Sequence, residues 1–546
     1  MADKIAQEII SEWQREDSAA SNTMQLCQQI ADHFFQRENQ ITTIRTPGED
    51  KSLPILDPTG QKDLEEMVAG MVAIIIPHGQ FFFKLAAQDY RQQNLEKISS
   101  YLNYCTEIMH QQMFGTNFLE QFAEWMFSLV GFGTGNLFSG WDKHELGLFY
   151  KDWDIANYRF GVDYKGRPSR CLVRWFYTAE QAVEKFGDAA GPDVIKAATD
   201  SKRSQEKFAF IWRCRQRKNR DTTKTDNLNA KFEEVVINEK EKVKVAEEGY
   251  PRFPYKICRW QVTSQSIWGE GRGGMALSAD KDLQRQKKAY LFSVDMANTP
   301  PYEYMPLNCE GAPKIYPGAG NPVMQLDSIR ALDGGRLNGN AQQTLELIKD
   351  TRSVIDGCFY VKVFRPSDDM KSHVTNLQIM EFVKAGRIQL VLPCTRIYNE
   401  GLTPTIIDSF HHLLDNHILP PPPEGLQSLK IEYLGSLAMA LQEQQSDALQ
   451  RYAQFSLAME PIMPGFTEET INRRRAGKRI GRTFGMAEDD FTTEEEYQQI
   501  MAERAKKEQA QQMMMAAQTA SKSYKDASGK AEEGSPAEAL MAGAGK

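Results

Sequence analysis

Trp268-Gly-Glu-Gly-Arg-Gly-Gly274, followed without a proline to Asn298 and then by Thr299-Pro300-Pro301, is the passage on which the fold turns. Its glycines, Gly269, Gly271, Gly273 and Gly274, read as a hinge, because glycine takes backbone angles that other residues resist. From Met275 to about Asn298 the spacing predicts a helix, roughly 36 Å long at the α-helical rise. Leu283, Tyr290, Val294 and Ala297 recur at helical period, while Lys281, Arg285 and Lys288 fall on a different face. Pro300 and Pro301 stop the helix. An insert from Pro300 to Asn340 carries short strand-like pieces, Tyr302 to Leu307 and Pro322 to Leu326, with turn chemistry at Gly320 and Asn321. A second helix is expected from about Ala341 to Phe359, with Leu345, Ile348, Val354 and Ile355 as its apolar set, and then a polar loop from Arg365 to Lys371.

Outward from this pair, the first part of the chain is helical by pattern to about Phe138. Ile5, Ile9, Ile10 and Trp13 begin one amphipathic helix, Gln92 to Met109 forms a second, and Phe118 to Val130 a third. Phe81 to Phe83 read as hydrophobic core. Gly131 to Gly135 has the look of a phosphate cradle but follows a helix pattern and lacks the Lys-Ser/Thr ending, so that signal is weak. From Leu148 to Val262 the pattern turns to strands. Asn157 to Asp163, Lys165-Gly166 and Arg170 to Tyr177 read as a hairpin, with further strands at Lys207 to Arg213 and Phe232 to Asn238. One helix interrupts them, opened by the capping box Thr178-Ala-Glu-Gln181 and running to Phe186. Arg215 to Asn229 is expected to be an exposed loop.

Beyond Lys371, Val374 to Asn416 reads as helices broken near Pro393 and Pro404, Pro420 to Pro423 as a stiff spacer, and Leu429 to Leu434 as a short strand. Helices are expected at Leu437 to Met459 and Thr467 to Gly477, and a long last one opens at Thr493 with Glu496 as its capping partner. From about Lys522 the Ser/Gly/Ala-rich composition predicts a disordered tail.

Composition bounds the function. At 546 residues the chain has room for three or four domains. It is 41% hydrophobic and 25% charged, with mean hydropathy −0.52, ordinary for a soluble protein. The longest apolar run, Met67 to Ile76, is too short to span a membrane and stops at Pro77. The amino terminus has acidic residues where a signal peptide would be cationic and then apolar, which argues against secretion. The eight cysteines are scattered without CxxC spacing and read as reduced thiols. A net charge of −8 argues against broad gripping of nucleic acid, which rests on Lys and Arg neutralising phosphates. It suits a surface that lets DNA slide past.

Arg259-Trp260, Trp268-Gly-Glu-Gly-Arg-Gly with its following helix, and Pro300-Pro301 at that helix's end together resemble the head-to-tail connector, or portal protein, of short-tailed bacteriophages. The same holds for Ile76-Pro77 through Phe81-Phe82-Phe83-Lys84-Leu85, for Asn117-Phe118 with Gly131 to Leu137, and for Tyr433 to Ala438 with Gln442. The resemblance implies a mixed α and α+β portal fold with wing, stem, clip and crown, mainly helical with a strand-rich wing. On that analogy residues 1–268 are wing, 269–299 the first stem helix, 300–340 the clip and 341–360 the second stem helix. Residues 361–373 are the tunnel loop, 374–435 the return through the wing, 436–521 the crown helices and 522–546 the tail.

The function it implies is a homo-oligomeric ring of about twelve subunits at one capsid vertex, through which double-stranded DNA is packaged and ejected. Its partners would be the terminase large subunit as motor, then a tail adaptor or head-completion protein, with major capsid and scaffold proteins around it and no membrane. The protein would be assembled in the host cytoplasm and reside in the virion.

Candidate site residues follow from this reading. Lys362, Arg365 and Lys371 would face DNA from the tunnel loop, and Lys281, Arg285 and Lys288 from the stem; without the resemblance such a row is simply a solvated helix face. Arg473-Arg-Arg475 with Lys478, Arg479 and Arg482 reads as neutralising the acidic helices beside it in preference to binding DNA. His411, His412 and His417 do not share one helical face, so a metal role is disfavoured. The chain has no GxxxxGK[ST] loop, GxSxG elbow or HExxH, and no cofactor is implied. The competing reading is a cytoplasmic nucleic-acid-processing enzyme or accessory subunit that uses Gly269 to Gly274 as a phosphate loop.

Overall fold

The computed structural model describes residues 3–35, 40–43, 55–77, 79–89, 96–143, 145–221, 223, 226–299, 302–304, 314, 316–323, 335–365, 389–426, 428–434, 477 and 494–527. They fall into two units, residues 1–440 and 441–546. The expected helices at Leu437 to Met459 and Thr467 to Gly477, the cations from Arg473 to Arg482 and most of the expected tunnel loop lie outside the described residues.

The first unit is a mixture of helix and sheet. Among the described residues four helices open it: α1 (Lys4–Phe34), α2 (Thr59–Ile75), α3 (Glu96–Phe114) and α4 (Phe118–Phe132). Asp3 caps α1 through its side chain, which accepts from the Ile5 amide at 3.1 Å. α2 is the apolar run that ends at Pro77, and its Met67, Val68, Met71 and Ile75 are buried. Strand β1 (Phe83–Ala87) pairs antiparallel with the late strand β12 (Leu429–Tyr433); Phe82 and Phe83 are core as expected, whereas Phe81, expected with them, is 48% exposed.

The strand-rich part holds two antiparallel sheets. β2 (Thr134–Asp142) lies between β3 (Gly147–Trp153) and β9 (Tyr255–Arg259); β4 (Tyr158–Val162), β5 (Pro168–Thr178), β6 (Lys207–Gln216), β7 (Phe232–Asn238) and β8 (Val243–Tyr250) form a five-stranded meander. The hairpin, β6 and β7 are where the alternation put them. The capping box at Thr178 is formed in full, with Thr178 Oγ1 accepting from the Gln181 amide and Gln181 Oε1 from the Thr178 amide, and it opens α5 (Ala179–Phe186). A second helix that the pattern did not suggest, α6 (Pro192–Thr199), starts with proline in its first turn, where the missing N–H costs nothing.

Alternation in β5 to β7 serves two cores. Cys171, Phe210, Trp212, Cys214 and Val236 face the main core, while Leu172, Ile211, Val235 and Ile237 face α1 and bury its Ala6, Ile9 and Trp13. On that second face charges flank the apolar strip. Glu8, Glu12 and Glu16 follow at four-residue spacing along α1, and Arg213, Arg215 and Arg217 at two-residue spacing along and just past β6. Arg213 meets Glu8 at 3.3 Å and Glu12 at 3.8 Å, Arg170 meets Glu12 at 3.0 Å and Glu16 at 2.7 Å, and Arg159 meets Asp17 at 2.6 Å. Arg217, in the stretch expected to be an exposed loop, is tied to Glu247 of β8 at 3.2 Å.

Among the described residues the remaining helices are α7 (Arg272–Asn298), α8 (Gly335–Cys358), the single turn α9 (Val361–Phe364), α10 (Val391–Arg396) and α11 (Thr403–Asp415). Between α10 and α11 the chain forms a π-helical turn, Ile397–Leu402, so the helix is continuous where breaks at Pro393 and Pro404 were expected. Pro393 sits in the first turn of α10, where amides lack helical partners, and Pro404 follows the wide π turn, which relieves the clash a proline ring makes with a normal turn. In unit two, α12 (Glu494–Ala527) begins where the capping signal at Thr493 put it but continues through Lys522, past the point assigned to the tail. The seven described cysteines are free, and no helix among the described residues is long and apolar enough to cross a membrane.

Arg213 is almost fully buried, at 2% exposure, and is held by three carboxylates. Replacing it by methionine leaves those acids facing one another, so Arg213→Met is expected to cost about 3 kcal/mol and to raise protease cleavage within α1. Chemical unfolding with and without a protease measures both.

Candidate functional site

The site is built where α4 ends. Gly133 caps that helix in the left-handed region, φ 93°, and its amide donates to the Leu129 carbonyl at 3.0 Å. The carbonyl of Gly133 accepts from the Trp260 amide at 2.8 Å as β9 runs out, and the Gly269 amide donates to Thr134 Oγ1 at 2.9 Å. Into the same space comes the backbone of Gly269 to Gly273. A Cβ at Gly269 would overlap the Gly133 carbonyl oxygen, one at Gly271 would overlap the Gly133 nitrogen, and one at Gly273 would lie 2.6 Å from the Gly131 carbonyl oxygen and 2.8 Å from Ile30 Cγ2. Two glycine-bearing segments are thus pressed together, main chain on main chain, and α7 starts from the contact.

α7 has 27 residues, about 40 Å of helix. It runs antiparallel to α8: Arg272 at its start donates to the Tyr360 hydroxyl just past the end of α8, and Gln286 accepts from Thr351 Oγ1 at 3.1 Å. The Arg272 guanidinium also lies over the Tyr360 ring, 4.4 Å from its centre. The segment before α2 fixes both helices at once. Gln284 of α7 accepts from the Leu56 and Asp57 amides at 2.9 and 3.1 Å and returns a bond to the Asp57 carbonyl at 2.8 Å. The Asp57 carboxylate accepts from Arg352 of α8 at 2.6 Å and from Thr59 Oγ1 at 2.6 Å. Burial works to raise the Asp57 pKa, yet these bonds from Thr59 and Arg352 outweigh it and hold the carboxyl below its usual range. His33 of α1 completes the set, with Nδ1 2.7 Å from Asp280 Oδ2 of α7.

Residues 6–491 match the family described as bacteriophage head to tail connecting protein. The chain belongs to that family. It is similar to the portal protein of Salmonella phage epsilon15, 24% identical over 424 residues that cover 75% of each chain. It is also similar to the probable portal protein of Bordetella phage BPP-1, 22% identical over 467 residues that cover 84% of this chain and 83% of the relative.

In this connector the glycines expected to act as a hinge have another role. None of Gly269, Gly271, Gly273 and Gly274 has positive φ; the left-handed glycine of the contact is Gly133. Gly269, Gly271 and Gly273 are needed for close approach, whereas Gly273 and Gly274 already lie within α7 and a Cβ at Gly274 would make only an ordinary 3.8 Å contact with Ile30. The same packing removes the phosphate-loop reading of both glycine segments, because each is filled by the other. The Gly269 and Glu270 amides are spent on Thr134 and on the Gln261 carbonyl.

Lys281, Arg285 and Lys288, the cations expected along the stem, are exposed on one face of α7, but two of them have partners. Lys281 donates to Gln29 of α1 at 2.7 Å, and Arg285 pairs with Asp282 of its own helix at 3.1 Å; Lys288 lies further along the face. Such exposed contacts are worth little and exchange readily. The apolar sets are corrected in part. Leu283, Ile348 and Ile355 are buried, while Val354 is 52% exposed and Ala297 is also exposed. Lys362 lies in α9, a helical turn where a loop was expected to begin, and that turn is packed down: the Phe364 ring covers Gly70 of α2, and Arg365 pairs with Glu66. Lys371 lies outside the described residues. His411 and His412 are on α11, where burial lowers both imidazole pKa values, and His417 follows the helix with φ 60°.

The glycine contact gives paired outcomes. Gly271→Ala is expected to destabilise by about 2 kcal/mol or more, since its new methyl meets backbone that has no rotamer to change. Gly274→Ala, exposed within a helix, is expected to be neutral or to stabilise by about 0.5–1 kcal/mol. Urea midpoints of the two variants measure the contrast.

Proposed function

We propose that the chain is a portal subunit: copies close into a ring of about twelve at one capsid vertex, and double-stranded DNA enters and leaves through the central hole. The observation that carries this reading is the antiparallel pair α7 and α8, rooted at the glycine contact and bearing Lys281, Arg285 and Lys288 in one exposed row. Membership of the connector family and relatives named as portal proteins support it. α7 carries five basic residues against three acidic ones, in a chain of net charge −8. A weakly cationic row in an acidic protein attracts phosphates without holding them, which is what a sliding duplex needs.

Exposed apolar side chains on the same pair, Leu291 and Phe292 of α7 and Leu347 of α8, supply surface for neighbouring copies. In a heterologous ring the rotation must close, or a filament results. Residues 1–268 with 374–435 serve as wing, 269–299 and 341–360 as stem, and 436–521 as crown. Residues 300–340 serve as the clip that meets the terminase large subunit and later a tail adaptor or head-completion protein. Within the clip, β10 (Tyr302–Tyr304) and β11 (Gly320–Pro322) pair in parallel, and the Asn321 side chain exchanges bonds of 2.6 and 3.0 Å with the Lys314 backbone. Lys362, Arg365 and Lys371 are assigned by this reading to the narrow part of the channel.

Native mass spectrometry with negative-stain imaging of the purified protein tests the ring. A closed assembly with a central hole is expected, and a stable monomer that binds nucleotide overturns the reading. In particles, Lys281→Gln, Arg285→Gln and Lys288→Gln combined are expected to leave ring formation intact and to reduce retained DNA severalfold; unchanged packaging and retention would remove these residues from the channel.

A further inference from the structure

Glu234 of β7 is an acid on the core face of the five-stranded meander, level with Cys214 of β6 and buried at 5% exposure. It lies where the meander meets the three-stranded sheet. The Tyr255 hydroxyl of β9 donates to its Oε1 at 2.6 Å, and the Tyr250 hydroxyl of β8 is 3.3 Å from its Oε2. Tyr250 has a second acid within reach. Glu248, directly opposite Glu234 in the β7–β8 register, brings Oε2 to 3.1 Å from the same hydroxyl. The Glu248 side chain is 54% exposed and has Lys143 at 3.9 Å.

A phenol has one proton to donate. Two ionised carboxylates cannot both be satisfied by it, so both contacts are hydrogen bonds only when one acid holds a proton and donates it to the phenol oxygen. Burial selects Glu234 as the holder, because its charged form is the costlier one. That burial raises the Glu234 carboxyl to about 7; Glu248 adds to the rise, and the Tyr255 and Tyr250 bonds and Lys185 of α5 oppose it. The other groups facing the seam are neutral or engaged. Burial holds Cys214 and, next to it in register, Cys171 of β5 as thiols. Lys256 of β9 is bound to Asp408 of α11, and Arg213, Arg215 and Arg217 engage Glu233 on the opposite face.

We propose that Glu234 and Glu248 hold one proton between them through the Tyr250 hydroxyl, and that this proton ties the meander to the three-stranded sheet. With it, the oxygens along Tyr255, Glu234, Tyr250 and Glu248 are all matched. Without it, an ionised acid is left buried in the seam and competes with Glu248 for a single donor. The raised pKa sets the sign: the tie contributes fully below the ordinary carboxylate range and is lost as pH rises through about 7. It lies within one subunit and acts whether or not copies close into a ring.

Infrared titration of the full chain reads the proton directly. The difference between wild type and Glu234→Gln is expected to show a protonated-carboxyl band at pH 6 that is gone by pH 8.5. In Glu248→Gln, a change at an exposed position, Tyr250 is free to donate to Glu234, and the band is expected to vanish about one pH unit lower than in the wild type. If Glu234→Gln does not fold, the difference between wild type and Glu248→Gln at pH 7 carries the test. Hydrogen exchange, corrected for the chemical rate, is expected to show residues 243–250 losing about tenfold in protection between pH 6 and pH 8.5 in the wild type, with the β1–β12 pair unchanged. A band absent at pH 6 or persisting at pH 8.5, a Glu248→Gln titration that tracks the wild type, or equal protection of β8 at both pH values would each overturn the shared proton.

Discussion

The close approach of Gly131 to Gly133 and Gly269 to Gly273 is the constraint from which the rest of the first unit follows. It sets where α4 stops, where β2 and β9 begin and end their pairing, and the point from which α7 departs. Where Gly133 meets Gly269 to Gly271 main chain lies against main chain, so the spacing there is fixed by van der Waals radii and by a few hydrogen bonds from amides. Around it the bulky residues pack as a collar: Phe35 stacks on Phe132 with ring centres 4.6 Å apart, and the Phe34 ring meets Phe359 edge-on at 5.5 Å. These rings come from α1, α4 and the end of α8, so a single contact region ties the amino-terminal helices to both members of the long pair.

A second layer of control is polar. The segment before α2 reads α7 through Gln284 and α8 through Arg352, and α2 itself meets the turn after α8 through Glu66 and Gly70. One helix thus touches every element that leaves or returns along the pair. Farther out, Arg259 at the end of β9 is held by Glu400 of the π turn at 2.9 Å, and Lys256 of the same strand by the buried Asp408 of α11. Here the π turn has a visible purpose. It presents Glu400 to β9 while Gly401 lies against the Trp125 ring.

Much of this was legible in the chain. Helical period identified α7 and α8 to within a few residues except at the start of α8, because prolines and glycines bracket the pair, and two-residue alternation identified β5 to β7. The capping signals at Thr178 and Thr493 marked real helix starts. β2 was hidden by its glycines and β8 by Lys244 and its two glutamates, since neither has the β-branched run that announces a strand. The glycines of Gly269 to Gly274 were visible but their reason was not: sequence shows freedom to bend, whereas close approach depends on a partner segment over a hundred residues away. A still longer separation in sequence hid the pairing of Asp57 with Arg352. The row Lys281, Arg285 and Lys288 was read correctly as one face, but its contact with Gln29 of α1 needed the fold.

A joint made of main chain differs mechanically from one made of side chains. Packed side chains yield by changing rotamer, so a load on them is partly absorbed as play. Peptide planes held edge to edge have no such slack, and a load bends dihedral angles instead. With α7 extending about 40 Å from the contact, one degree of tilt at its base moves the far end by about 0.7 Å. The glycine contact therefore works as a stiff pivot, and the long pair as a lever whose tip reports small rotations at its root.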